Sequence, residues 1–165
     1  MINEISIGCS STNSKYGKRL DTAIVELNSK AKISGLFTSN KFKSAPVQIC
    51  LDQFKSKMSG KKLLIVNAGN ANAATGKKGI LDTKKLVKRI SDLSGVSSNQ
   101  ILPFSTGVVG ELLDMKSLMP AFEDCFKNLN KNSWSDFASA IMTTDTKIKL
   151  VRISKKIGTK KYNII

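Results

Sequence analysis

Three short stretches carry residue types that could do chemistry. The first is LPFSTGVVGE, residues 102–111. An apolar run that ends in a small polar turn with glycine can leave successive backbone N–H groups unpaired and aimed into a cleft. Two such donors can hold a developing oxyanion, and glycine permits the close backbone approach this needs. Within it, the Thr106 hydroxyl and the Gly107 N–H are the candidate donors. The same residues also suit a plain tight turn between two strands. The second stretch is residues 67–73, where small residues alternate with Asn67, Asn70 and Asn72. Asparagine tolerates unusual backbone angles and bonds nearby backbone groups, so the stretch reads either as a polar turn or as the floor of a cleft. The third is Thr143-Thr144-Asp145-Thr146, a set of hydroxyls that also fits a helix C-terminal turn.

The composition excludes other chemistries. Histidine is absent, which removes every Ser-His and Cys-His triad and every histidine metal site. Cys9, Cys50 and Cys125 are widely spaced with no CxxC pair, so zinc and dithiol redox chemistry have no support and free buried thiols are expected. Gly76-Lys77 has the look of a phosphate-binding loop, but Ala71 stands where that motif needs its first glycine and Lys78 where it needs Ser or Thr. The formal charge of +15 invites a nucleic-acid reading. Against it, only Arg19, Arg89 and Arg152 are arginine, the lysines are dispersed, and aromatics are few, whereas nucleic-acid modules combine arginine with stacking rings. No apolar stretch is long enough to span a bilayer, and Met1 to Glu4 show no signal-peptide pattern, so the expected location is cytoplasmic.

The elements that must position these residues follow from periodicity. Residues 5–20 read as loop with a short strand at 5–7. Residues 22–27, 33–38 and 45–51 read as strands from their β-branched content, the first two as a hairpin through a turn at 28–31. Gly35 marks a bulge or close packing, and Pro46 the entry to a strand. Residues 54–60 read as a short helix ended by Gly60, and 62–66 as a buried strand. Asp82 or Thr83 caps a helix that runs to Ser94 with Gly95 after it, burying Leu86, Ile90 and Leu93. Residues 100–104 form the strand that feeds Thr106. Residues 114–129 form a helix whose regular part begins at Pro120, and residues 134–141 a further helix with Ser133 and Asp136 as a capping box. Residues 147–153 alternate as a half-exposed strand, 154–161 form a basic turn at Gly158, and 162–165 begin another strand. At 165 residues this makes one domain, 1–165, of the α/β class, with mixed sheets covered by helices.

Taken in order, GLFTSNKF (35–42), APV (45–47), VNAGNANAATG (66–76), LPFSTGVVGE and IMTTDT (141–146) resemble the ornithine acetyltransferase (glutamate N-acetyltransferase) family of arginine biosynthesis, over residues 21–150. The resemblance implies a layered α-β-β-α sandwich, of which this chain is the N-terminal portion. It also implies an enzyme that cleaves its own precursor, so that a new N-terminal threonine becomes the nucleophile with its α-amine as base. Acetyl then moves from N-acetylornithine to glutamate, and acetyl-CoA serves some members as donor. No bound cofactor and no metal are implied. By position, Thr106 and Gly107 match the oxyanion-hole pair and Thr143 a substrate-binding threonine, with Thr144 the alternative if the register slips by one. Asp145 stands where it could orient them. The family's Lys-Gly-x-Gly-Met segment and its Ala-Thr cleavage site do not occur before Ile165. The expected partner is therefore a C-terminal β chain in an α2β2 assembly, and this chain alone should be inert. The other readings are a catalytically inactive fragment or regulatory binding domain that keeps the fold and, further off, a basic nucleic-acid module. No nucleic acid and no membrane are expected as partners.

Overall fold

The computed structural model describes residues 5–15, 17–129 and 133–165, so the first four residues, inspected above for a leader, lie outside it. A four-stranded sheet has the order β1 (Ile5–Ser10), β2 (Thr22–Leu27), β3 (Lys62–Asn70), β4 (Ile101–Val108). β1, β2 and β3 pair antiparallel in turn, and β4 joins β3 in parallel. The parallel step needs a crossover, supplied by α2 (Gly76–Ser94), which ends on Gly95 in the left-handed conformation. Thus strand and helix fall where residues 22–27, 62–66 and 86–95 suggested, within a mixed α/β architecture of sheet packed against helices.

Pairing alternates the side chains between two faces. One face carries Ile24, Leu63, Ile65 and Ile101, buried under α2 and α3 (Met115–Lys127) together with Leu86, Ile90, Leu118 and Phe122. Each such side chain contributes about 1.5–3 kcal/mol by leaving water. Gly8 of β1 lies on this face and meets the α3 backbone directly, since a Cβ there would sit 1.8 Å from the Cys125 carbonyl oxygen. α4 (Trp134–Ala140) packs against β1. The opposite face carries Ile7, Ala23 and Val25, which are buried, and Phe104, which is exposed.

Several elements differ from the sequence expectation. Residues 45–51 are not a strand but the first part of α1 (Ala45–Phe54), with Pro46 in its first turn. Proline is tolerated there because that N–H has no partner inside the helix. The buried set Ala45, Pro46, Ile49, Cys50 and Gln53 follows a helical period. α1 covers the open edge of β4: Gln53 Nε2 donates to Ile101 O at 2.6 Å, and Cys50 Sγ to Pro103 O at 3.2 Å. Covering an edge in this way removes the hazard of an unpaired strand. Residues 54–60 accordingly hold no separate helix, since α1 ends at Phe54. Residues 33–38 form no strand, because both edges of β2 are taken by β1 and β3. α2 starts at Gly76, so Asp82 and Thr83 are buried inside it rather than capping it. α3 starts at Met115, capped by Asp114, and runs through Pro120. Ser133 makes no side-chain capping bond. Residues 147–152 are not a strand; the strand begins at β5 (Ile153–Ile157), which pairs with β6 (Lys160–Ile164) as an exposed hairpin.

Candidate active site

The parallel pair ends at the candidate site. Thr106 lies opposite Ala68 and Gly107 opposite Gly69, and there the register breaks, with Asn70 beside both Thr106 and Val108. β4 therefore does not turn at Thr106-Gly107, as one reading of the sequence had it, but continues to Val108. Gly107 has φ +131°, and a Cβ on it would stand 2.3 Å from Gly69 C and 2.5 Å from Asn70 N. Only glycine satisfies both constraints.

The direction of the Gly107 N–H follows from alternation along β4. Ile101 O and Pro103 O point outward to α1, whereas Val108 O points inward and accepts from Ala71 N at 2.9 Å. Residues 101 and 103 thus present their carbonyls at the outer edge, and the same alternation carried on to residue 107 would set the Gly107 N–H there too. The Thr106 side chain stands on the face that carries Phe104.

The turn after β3 is built by its three asparagines. Asn67 Nδ2 donates to Asn70 O at 2.9 Å, and Asn67 Oδ1 accepts from Ser105 Oγ at 2.6 Å. Asn70 Nδ2 donates to Glu111 O and Leu112 O, at 3.1 and 3.0 Å. Asn72 is fully buried with φ +45°, donates to Gly79 O and Thr83 Oγ1, and accepts from Thr75 Oγ1. Thr83, expected as a cap, instead anchors this turn. The sequence reading marked these asparagines as a cleft floor but did not pair Asn67 with Ser105. Their residue types alone give no sign of that long-range bond.

Thr143 and Thr144 lie after α4, where Arg19 Nη2 donates to Met142 O. Thr143 is half-buried and Thr144 exposed. Asp145 bonds Lys149 Nζ at 2.5 Å, which lowers its carboxyl pKa below the usual value. No hydrogen bond among the described residues joins Thr143 or Thr144 to Thr106 or Gly107. A cavity of about 190 Å³ lies at the end of β3 on the Asn67 side, lined by Asp21, Lys15 and Glu111 among others. None of the four threonine and glycine candidates lines it. A second cavity, about 420 Å³, is lined by Lys41, Lys43 and Lys77 with no carboxylate, so its charge is positive.

The thiols are poor nucleophiles. Burial pushes Cys9, Cys50 and Cys125 each up to about 12, so they stay protonated at neutral pH. The folded chain keeps protons that the unfolded chain releases above about pH 8.5, so these groups lower stability as pH rises past that point. Among the described residues no three His, Cys, Asp or Glu side chains gather as metal ligands, and no helix is long and apolar enough to cross a membrane.

Comparison with known proteins bears on this site. The profile of the ArgJ family matches residues 6–165. An arginine biosynthesis bifunctional protein ArgJ from Colwellia psychrerythraea is 38% identical over 99% of this chain and 41% of its own length. A mitochondrial ArgJ protein from Candida tropicalis is 38% identical over 91% of the chain and 38% of its own length. The chain thus spans about two fifths of these relatives. Among solved structures, an ArgJ protein from Bacillus halodurans superposes with a TM-score of 0.76 at 25% identity, over 98% of this chain and 84% of that one. Ornithine acetyltransferase from Mycobacterium tuberculosis, solved with ornithine, gives 0.78 at 25% identity, over 92% and 80%.

Proposed function

The chain belongs to the ArgJ family, and on that premise we propose that it supplies the oxyanion-hole part of an acetyltransferase of arginine biosynthesis. The reaction moves acetyl from N-acetylornithine, or from acetyl-CoA, to glutamate. The observation that supports the reading is the Gly107 backbone, a glycine at φ +131° packed against Gly69 at the end of β4, directly after Thr106. A threonine nucleophile from a second chain attacks the acetyl carbonyl, and the oxygen takes up negative charge as the tetrahedral intermediate forms. Thr106 Oγ1–H and Gly107 N–H donate to that oxygen. Ornithine leaves, and glutamate attacks the acetyl-threonine through a second intermediate held by the same donors. Thr143, or Thr144, binds the amino-acid portion.

Two lengths support a two-chain enzyme. The chain matches about 41% of the Colwellia protein but 84% of the solved Bacillus chain, as expected where precursors are cleaved into parts of this size. In this reading the α and β chains form α2β2, and this chain alone does not turn over.

The test reconstitutes the chain with the complementary part of an ArgJ relative and follows acetyl transfer from N-acetylornithine to glutamate. Turnover is expected only in the mixture. Thr106→Ala should then lower kcat by about a hundredfold, the usual effect of losing one oxyanion donor. A change of less than about threefold would remove Thr106 from the oxyanion hole.

A further inference from the structure

We propose that Asn67 is a positioning residue for this reaction. Its side-chain amide ties the end of β3 to Ser105 and so fixes where the Thr106 and Gly107 donors stand. The inference rests on the reading of those two residues as the oxyanion hole.

The geometry is specific. Gly107 packs so closely on the Gly69–Asn70 peptide that a Cβ would not fit between them, so a shift of that peptide toward β4 would displace Gly107. The chain there leaves regular pairing, since Asn70 stands beside two residues of β4, and the backbone bond from Ala71 N to Val108 O resumes past the irregularity. Asn67 adds a side-chain restraint at the irregularity itself. It is 3% exposed, and both of its polar ends are in use. Nδ2 holds the Asn70 carbonyl at 2.9 Å, beyond the irregularity, and Oδ1 takes the Ser105 hydroxyl at 2.6 Å, one residue before Thr106. One side chain thus braces both strands where they approach the donors. Only an amide offers a donor and an acceptor from one short planar group; aspartate would set a second acceptor against the Asn70 carbonyl. Asn70 completes the brace from the other side by bonding Glu111 O and Leu112 O after β4.

Asn67 acts only through others. Asn67 and Ser105 stand on the face under α2 and α3, whereas Thr106 stands on the opposite one, so the sheet separates the amide from the reacting group. A brace of this kind should change how well the transition state is held while leaving substrate binding alone. Misplacement of reacting groups by about 1 Å costs on the order of a hundredfold.

The experiment compares Asn67→Asp, Ser105→Ala and Ser105→Thr in the reconstituted enzyme, alone and combined with Thr106→Ala. Asn67→Asp and Ser105→Ala are expected to lower kcat about tenfold or more, with KM for both substrates within about twofold. Ser105→Thr, which keeps the hydroxyl, should restore turnover to within about threefold. In the Thr106→Ala background, Asn67→Asp and Ser105→Ala should each cost less than about threefold, because the brace then serves a hole already broken. If Asn67→Asp does not assemble, the Ser105 pair carries the test by itself. Full kcat in Ser105→Ala, with Thr106→Ala still costing a hundredfold, overturns the inference and leaves the oxyanion reading standing. Equal losses with and without Thr106 also overturn it, since they mark a general structural effect. A silent Thr106→Ala overturns the oxyanion reading itself.

Discussion

Gly107→Ala should lower turnover by more than a hundredfold, a larger loss than removing the Thr106 hydroxyl. The variant still has an N–H at position 107, so the loss would come from where that donor stands. A methyl at this position would lie 2.3 Å from Gly69 C and 2.5 Å from Asn70 N, both backbone atoms. Neither can rotate away, so the ends of β3 and β4 must part or Gly107 must leave φ +131°. Alanine also resists that angle, at a cost of order 1–3 kcal/mol. Gly110→Ala is the control. Gly110 has φ +87° but nothing within 4 Å of the added methyl, so it pays strain without a clash. Steady-state kinetics should show Gly110→Ala within about tenfold of the parent enzyme and Gly107→Ala far below it. Comparable rates for the two would mean that close approach to Gly69 has no part in placing the donor.

Gly8→Ala is the second large effect, and it concerns stability. The added methyl would stand 1.8 Å from the Cys125 carbonyl oxygen and 3.2 Å from Leu129 N, so α3 would have to lift from β1. That displacement opens the core around Phe122 and Cys125. Overpacking of this sort costs about 3 kcal/mol or more, near 10 °C of melting temperature for a chain of this size. Gly158→Ala, in the exposed β5–β6 turn with no neighbour within 4 Å, should shift the midpoint by only a few degrees. Thermal unfolding followed by circular dichroism compares the two, and a Gly8→Ala midpoint equal to that of Gly158→Ala would show that helix and strand are not in backbone contact.

These glycines show which parts of the molecule were legible in the sequence. Gly107 was singled out from its neighbours Thr106 and Val108, because the small-polar turn after an apolar run is a local pattern. Gly8 was not, since its role depends on a helix more than a hundred residues later. The same division runs through the elements. Residues 62–66 and 86–94 announced a buried strand and an amphipathic helix through their own periodicity. Residues 45–51 misled because Val47 and Ile49 weigh toward strand, while what decides the matter is the β4 edge that Gln53 and Cys50 cover. Residues 33–38 have strand composition, but both edges of β2, their expected hairpin partner, are taken by β1 and β3. Asp82 and Thr83 have cap chemistry, yet the helix begins six residues earlier and spends Thr83 on Asn72. At the candidate site, residue types singled out Thr106 and Gly107 as candidates, and only the fold revealed the bond between Asn67 and Ser105.

That brace closes across 38 residues of chain, and the segment between them contains the whole of α2. Parallel pairing of this reach forms only after a long loop has been closed, so its entropy must be met before the contacts reward it. Nothing local can therefore preassemble Thr106 and Gly107 against β3 in the unfolded chain. Their arrangement depends on the pairing of β4 with β3. Partial unfolding at this edge would undo the proposed oxyanion hole while β1, β2 and β3 stayed paired, so the candidate site and the rest of the sheet need not share one lifetime.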